Sequence, residues 1–214
     1  MSQWTETDRR IGCATACAAA AIWVLYVVVG VVGVLARPRG LPFLRQVDPY
    51  LAILEWLIIG FAVAIVGMMA ALHRYVPDSR KSCSTAALLF NLAFSVLTCA
   101  VHFVNLTVGR RMDAKLIPSL FGEWPSVALA VDLLAWDFLL GLALICAAVA
   151  LRDQGLGRAR AAMMAAGVLC LAGTAGPASG HMEIQFLGIV GYAFVLPGAC
   201  ALLALAWKVS SRSG

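Results

Sequence analysis

Long runs of apolar residues, separated by short polar breaks, make up most of the chain. An α-helix rises about 1.5 Å per residue, so about 20 residues cross the hydrocarbon core of a bilayer. The pattern therefore predicts an all-α fold, a polytopic membrane helix bundle in which residues 1–214 form one domain. Six transmembrane helices are predicted, at about Ile11 to Leu35, Pro49 to Leu72, Cys83 to Val108, Ser126 to Leu151, Ala159 to Ala175 and Ile184 to Trp207.

Composition agrees with a membrane protein. The chain of 214 residues is 62% hydrophobic and only 13% charged, whereas soluble domains average about 25% charged residues. The net charge of +5 comes from basic residues in the short breaks between the apolar runs. This placement indicates contact with lipid headgroups, and we expect no nucleic-acid partner. The predicted location is the cell membrane, as a multi-pass protein with membrane lipids as partners.

The distribution of lysine and arginine predicts the orientation. One side carries ten of them: Arg9, Arg10, Arg74, Arg80, Lys81, Arg152, Arg158, Arg160, Lys208 and Arg212. The other side carries six: Arg37, Arg39, Arg45, Arg110, Arg111 and Lys115. Because the more basic side stays in the cytoplasm, both termini are predicted to be cytoplasmic.

Ionisable residues inside the apolar runs are the candidates for chemistry, since each costs several kcal/mol in lipid unless it is paired, neutral or hydrated. Glu55, His102 and Asp132 each lie about six residues from the extracytoplasmic end of a helix, about 9 Å below that boundary. They are predicted to meet in a shallow pocket. Asp137 is rotated by roughly 140° from Asp132, so it is predicted to pair with a neighbouring helix or a second subunit. All four are candidate catalytic residues.

Polar residues form a stripe along the third helix. Asn91, Ser95, Thr98, His102 and Asn105 recur at steps of three and four, which places them on one helix face. Such a face turns toward the bundle interior or a wet cavity. Two interpretations stay open: hydrogen bonds that join helices, or the wall of a cavity. In the second, Asn91, Thr98 and Asn105 are candidate substrate-binding residues.

Aromatic residues cluster near the level of these acids. Candidate substrate-binding residues are Trp23, Tyr26, Trp56, Trp136 and Tyr192. They suit either a lipid-shaped cavity with ring faces toward a cation, or an interfacial belt and core packing. In the sixth helix, Pro197 is predicted to free the carbonyl near Ala193.

Other chemistries are disfavoured. The seven cysteines lie within or beside apolar helices without a C-x-x-C pair, so we interpret them as small hydrophobic residues. His102 is the single deep histidine, which argues against haem, and no mid-helix lysine is present to hold retinal. We expect no cofactor and no metal.

Acids, an imidazole and aromatic walls suit the isomerisation or cyclisation of an apolar lipid or isoprenoid-like substrate. In architecture this resembles the small integral-membrane terpene cyclases. Their Asn-Phe-Ala-Trp-Glu stretch is absent, since Glu55 lies in Leu54-Glu55-Trp56, so no residue role is carried over. The alternatives are a small-solute or proton-coupled transporter, or its subunit, and a non-catalytic membrane scaffold. The oligomeric state is open.

Overall fold

The structure, a computed structural model, describes residues 4–36, 48–111 and 124–209. Within these ranges it contains six helices long and apolar enough to cross a membrane and no β-strand, which confirms the predicted fold class. The helices are α1 (Glu6–Ala36), α2 (Tyr50–Tyr75), α3 (Lys81–Thr107), α4 (Val127–Ala150), α5 (Gly157–Ser179) and α6 (Met182–Val209).

We call the end of the bundle that contains Ala36, Tyr50, Thr107 and Val127 the outer end, following the predicted orientation, and the opposite end the inner end. The orientation itself stays a prediction. Several of the basic residues that it rests on lie outside the described residues: Arg37, Arg39, Arg45, Lys115 and Arg212.

The helices pack as a ring in chain order. Each helix contacts the helices before and after it in sequence, and α6 closes the ring by packing against α1. Short connections between neighbouring helices favour this antiparallel arrangement. The ring matters for the site because it turns one face of every helix toward a shared interior.

An aromatic layer fills this interior. Trp136 on α4 lies at its centre, with ring centroids 4.9 Å from Phe94 on α3, 5.0 Å from Tyr192 on α6 and 5.8 Å from Phe61 on α2. Trp23 on α1 completes the layer, 5.6 Å from Trp136. Aromatic side chains from five helices can contact one another only in the interior that the helices surround. The layer therefore separates the outer from the inner half of the bundle.

The helix ends follow ordinary capping chemistry. The Thr5 hydroxyl accepts a hydrogen bond from the Asp8 amide at 3.1 Å, and the Asp8 carboxylate accepts one from the Thr5 amide at 3.0 Å, so both orphan donors are satisfied. Ser126 caps α4 by accepting a hydrogen bond from the Leu129 amide. Such local signals fix where α1 and α4 begin.

Two helices contain a π-helical turn at the level of the aromatic layer. The turns span Leu134–Leu139 in α4 and Val190–Val195 in α6. Each turn accommodates one more residue than an α-helical turn and so changes the direction of the side chains that follow. The two turns carry Trp136, Asp137 and Tyr192, which all point into the bundle or toward a neighbouring helix.

Glycines permit close approach where α4, α5 and α6 meet. A Cβ atom on Gly167 would lie 2.8 Å from the carbonyl oxygen of Gly141 and 3.0 Å from the amide nitrogen of Ile145. Backbone atoms cannot swing aside as a flexible side chain does, so the space is reserved for hydrogen. A Cβ atom on Gly157, on the same helix, would meet nothing within 4 Å.

We expect Gly167→Ala to lower the thermal unfolding temperature of the detergent-solubilised protein, because overpacking of a tight interface costs about 1–3 kcal/mol. Gly157→Ala is the matched control and should leave the temperature unchanged or raise it slightly, since alanine favours helix. Equal effects of the two substitutions would contradict the close approach of α4 and α5.

Candidate functional site

His102 occupies the centre of the outer half, between two carboxylates. Its Nδ1 atom lies 2.5 Å from Oε2 of Glu55, and its Nε2 atom lies 3.4 Å from Oδ1 of Asp132. The three side chains come from α3, α2 and α4, which are consecutive neighbours in the ring. The structure thus brings together the three residues whose common depth predicted a meeting. We call Glu55, His102 and Asp132 the triad.

Position along each helix explains why they meet. Each triad residue lies five residues from the outer end of its helix: Glu55 from Tyr50, His102 from Thr107 and Asp132 from Val127. At about 1.5 Å per residue, each is about 7.5 Å along the axis. Antiparallel neighbours therefore present the three groups at one level.

Asp132 is the most exposed member of the triad. Its side chain is 20% exposed, against 8% for His102 and 9% for Glu55. The Trp136 indole N–H donates a 3.1 Å hydrogen bond to Asp132 Oδ1, the same oxygen that faces His102. The other oxygen, Oδ2, accepts no hydrogen bond from any described residue. One carboxylate oxygen is therefore fixed while the other is available.

Trp23 and Tyr26 lie beside the triad on α1. Their rings stack at 5.1 Å, and the Tyr26 phenol is close enough to interact electrostatically with Glu55 and Asp132. The Trp23 indole N–H donates a 2.7 Å hydrogen bond to the carbonyl oxygen of Ala193. This is the carbonyl that Pro197 was predicted to free, because proline has no N–H to return to it. The indole thus supplies the missing donor.

The polar stripe of α3 faces inward along most of its length. Asn91, Ser95, Thr98 and His102 are buried, whereas Asn105 is half-buried. Ser95 donates a hydrogen bond to the Ala62 carbonyl of α2 at 3.1 Å, as a helix-joining residue should. The Asn91 amide and the Thr98 hydroxyl bond to no described residue. Helix joining therefore accounts for Ser95 and not for Asn91 or Thr98, whose substrate-binding role stays a prediction.

Asp137 is not hydrogen-bonded to the triad and contacts α5 and α6 instead. Gln185 Nε2 donates hydrogen bonds to Asp137 Oδ2 at 3.4 Å and to the Tyr192 hydroxyl at 3.2 Å. The prediction that Asp137 turns to a neighbouring helix agrees with this placement against α6. Tyr192, a predicted pocket residue, links the two groups, because its ring contacts Trp136 and its hydroxyl contacts Gln185.

The structure does not bring Trp56 to the site. Its side chain is on the outside of α2 and 57% exposed. Successive helix residues are rotated by about 100°, so an inward Glu55 turns Trp56 away from the interior. Trp56 instead suits the aromatic belt that faces lipid headgroups. His181 and Glu183 also lie outside the site, as an exposed pair with 3.2 Å between Nδ1 and Oε1.

Several contributors to the site escaped sequence reasoning. Phe61 and Phe94 pack against Trp136, and Gly173 and Gly188 leave room for Asp137. Phenylalanines in apolar helices carry no signal of their position. A register signal existed for Phe94, which lies three residues from Asn91 and one from Ser95 on the inward part of α3.

The arrangement of the triad differs from that of a metal site. Glu55 and Asp132 lie at opposite ring nitrogens of His102 and do not converge on a shared point. Metal ligands surround one centre. Among the residues that the structure describes, no group of three or more His, Cys, Asp or Glu side chains has the spacing to hold a metal ion.

Comparison of the chain with protein-family models, with curated proteins and with solved structures gives no significant match.

We expect Trp23→Phe to destabilise the protein, because it removes the Trp23 donor from the half-buried Ala193 carbonyl. An unsatisfied buried polar group costs about 1–3 kcal/mol. Trp56→Phe is the matched control, since this indole is exposed, and it should unfold at the same temperature as the wild type. Thermal unfolding in detergent measures both, and an unchanged midpoint for Trp23→Phe would contradict the role of its N–H.

Proposed function

We propose that the protein is a membrane-embedded enzyme in which the triad transfers protons to and from an apolar lipid or isoprenoid-like substrate. The observation that supports this proposal best is the asymmetry of Asp132. Its Oδ1 is held by Trp136 and faces His102, while Oδ2 accepts no hydrogen bond from a described residue and belongs to the most exposed side chain of the triad. A general acid or base needs such a positioned yet accessible oxygen.

Each member of the triad has a distinct role in this proposal. Asp132 is the catalytic acid and base that touches substrate. His102 is a positioning residue whose Nε2 atom lies at ion-pair distance, 3.4 Å, from Asp132 Oδ1 without an aligned hydrogen bond, and Glu55 fixes the imidazole from the opposite side at 2.5 Å. Many enzymes that transfer protons use such a chain, in which the reacting group is oriented by a second side chain and that side chain is oriented by a third. Positioned acid–base catalysis contributes about 10²- to 10⁴-fold to rate.

The reaction class follows from the apolar surroundings. A proton delivered from Oδ2 to a carbon–carbon double bond forms a C–H bond and leaves a carbocation. Loss of a proton from a neighbouring carbon to the same carboxylate restores a double bond at a new position or after ring closure. No proton is gained or lost overall. The aromatic rings of Trp136 and Tyr26 lie near the carboxylates, and electron-rich rings stabilise a cationic intermediate.

A proton-coupled transporter is the second candidate. It is favoured by Asp137, a further buried acid that lies beyond Trp136 in the π-helical turn of α4, next to the π-helical turn of α6. Interrupted helices and intramembrane acids recur in transporters. A transporter would move solute or protons across vesicles without changing lipid composition, which separates it from the enzyme.

We expect Asp132→Asn to lower formation of the lipid product at least about 100-fold, because amide Oδ1 and Nδ2 atoms cannot exchange a proton. Glu55→Gln and His102→Gln should lower it too. Glu183→Gln is the control and should keep full activity, because Glu183 is exposed at the outer end of α6. The measurement is mass spectrometry of lipids from cells that express each variant or none.

Loss of activity counts only for variants that remain folded, as judged by thermal unfolding after extraction. Identical lipid profiles in cells with and without the wild-type protein would contradict an enzymatic role. Proton or solute flux in vesicles would then support the transporter, and loss of assembly partners without flux would support a scaffold.

A further inference from the structure

Asp137 is the most deeply buried acid among the described residues and takes no part in the triad. Its side chain is 0% exposed, and Oδ1 has no hydrogen-bond partner in the described part of the chain. Oδ2 accepts one long hydrogen bond, from Gln185. A buried carboxylate is ordinarily held by several donors or by a cation. Asp137 has neither.

The surroundings offer no charge to balance it. The titratable side chains that interact with Asp137 are Asp132 on its own helix, Cys170 on α5 and Tyr192 on α6. None of them is basic. No described lysine, arginine or histidine forms an ion pair with the carboxylate. An ionised Asp137 would therefore be an uncompensated charge in apolar surroundings, beside a second acid.

Two glycines of neighbouring helices leave space for the Asp137 side chain. A Cβ atom on Gly188 of α6 would overlap with Asp137 Oδ1, and one on Gly173 of α5 would lie 3.3 Å from Asp137 Cγ. The same Gly173 Cβ would lie 2.7 Å from the Gly188 backbone. The carboxyl group thus fits between α5 and α6 at a point where the two backbones approach closely. Two glycines are needed to admit it.

We propose that Asp137 is a proton-binding site that is separate from the triad. The proton neutralises the carboxyl group where no basic residue does so, and the neutral acid keeps its place between Gly173 and Gly188. Among the described side chains, Asp137 is joined to Asp132 only indirectly, through Gln185, Tyr192 and Trp136. The inference concerns proton occupancy alone and does not depend on the catalytic proposal.

Labelling with the apolar reagent dicyclohexylcarbodiimide tests this proposal on the full-length protein in vesicles. The reagent enters bilayers and converts a protonated carboxyl group into a stable acylurea, which mass spectrometry locates in peptides. We expect the adduct on Asp137, and none on the ion-paired Glu55 or the exposed Glu183. Asp132→Asn should leave Asp137 labelled, because the burial of Asp137 and its place between Gly173 and Gly188 do not depend on Asp132.

Gly188→Ala and Gly198→Ala, both on α6, form a matched pair. Gly188→Ala should abolish the adduct by displacing the carboxyl group, whereas a Cβ on Gly198 meets nothing within 4 Å and should leave it unchanged. Labelling of the wild-type protein tests the proposal even if neither variant folds. Absence of an adduct on Asp137, while free dicyclohexylcarbodiimide labels the denatured protein, would overturn the proposal. Protection of Asp137 by Na⁺ at constant pH would also overturn it, by identifying a sodium site.

Discussion

One imidazole shared by two carboxylates, within an otherwise apolar bundle, is the interaction on which the outer half of the structure depends. Glu55, His102 and Asp132 belong to three successive helices. Each group is tolerated there because the others are present. Removal of one member of a buried ion pair typically costs about 3–5 kcal/mol, since it leaves an uncompensated charge. The triad therefore fixes how α2, α3 and α4 meet as well as supplying its chemistry.

The aromatic layer beneath the triad keeps this charge arrangement in place. Two indole N–H groups donate hydrogen bonds to specific acceptors. Trp136 donates to the Asp132 carboxylate, and Trp23 donates to the Ala193 carbonyl. The same rings pack against Phe61, so one layer provides both contact area and hydrogen bonds. Asp137, held between Gly173 and Gly188, contacts Gln185 near the outer end of α6. Two acids five residues apart on one helix thus have separate surroundings.

Much of the architecture could be predicted because the bilayer restricts what a chain can do. Helix number followed from the length of the apolar runs, and the common level of Glu55, His102 and Asp132 followed from helical rise. The inward face of α3 followed from periodicity. The need for a donor to Ala193 followed from Pro197. Each of these predictions needs only the geometry of a single helix, or the position of the membrane boundary that all the helices share.

The remaining features depend on contacts between helices, which periodicity does not encode. The orientation of Trp56 followed from that of Glu55, and only the ring of helices decided which of the two faces inward. The π-helical turn in α4 lies between Asp132 and the helix that follows Asp137, and no periodicity in the sequence signalled it. The place of Gly188 against Asp137 required the packed structure.

The most direct test of the triad is a double-mutant cycle for Glu55→Gln and His102→Gln, with free energies of unfolding measured in mixed micelles. We expect the two effects to be coupled by more than about 1 kcal/mol, because the groups are in contact. The cycle for Glu183→Gln and His102→Gln is the control and should be additive. Additivity of Glu55→Gln and His102→Gln to within about 0.5 kcal/mol would contradict an ion pair between these two side chains in the outer half of the bundle.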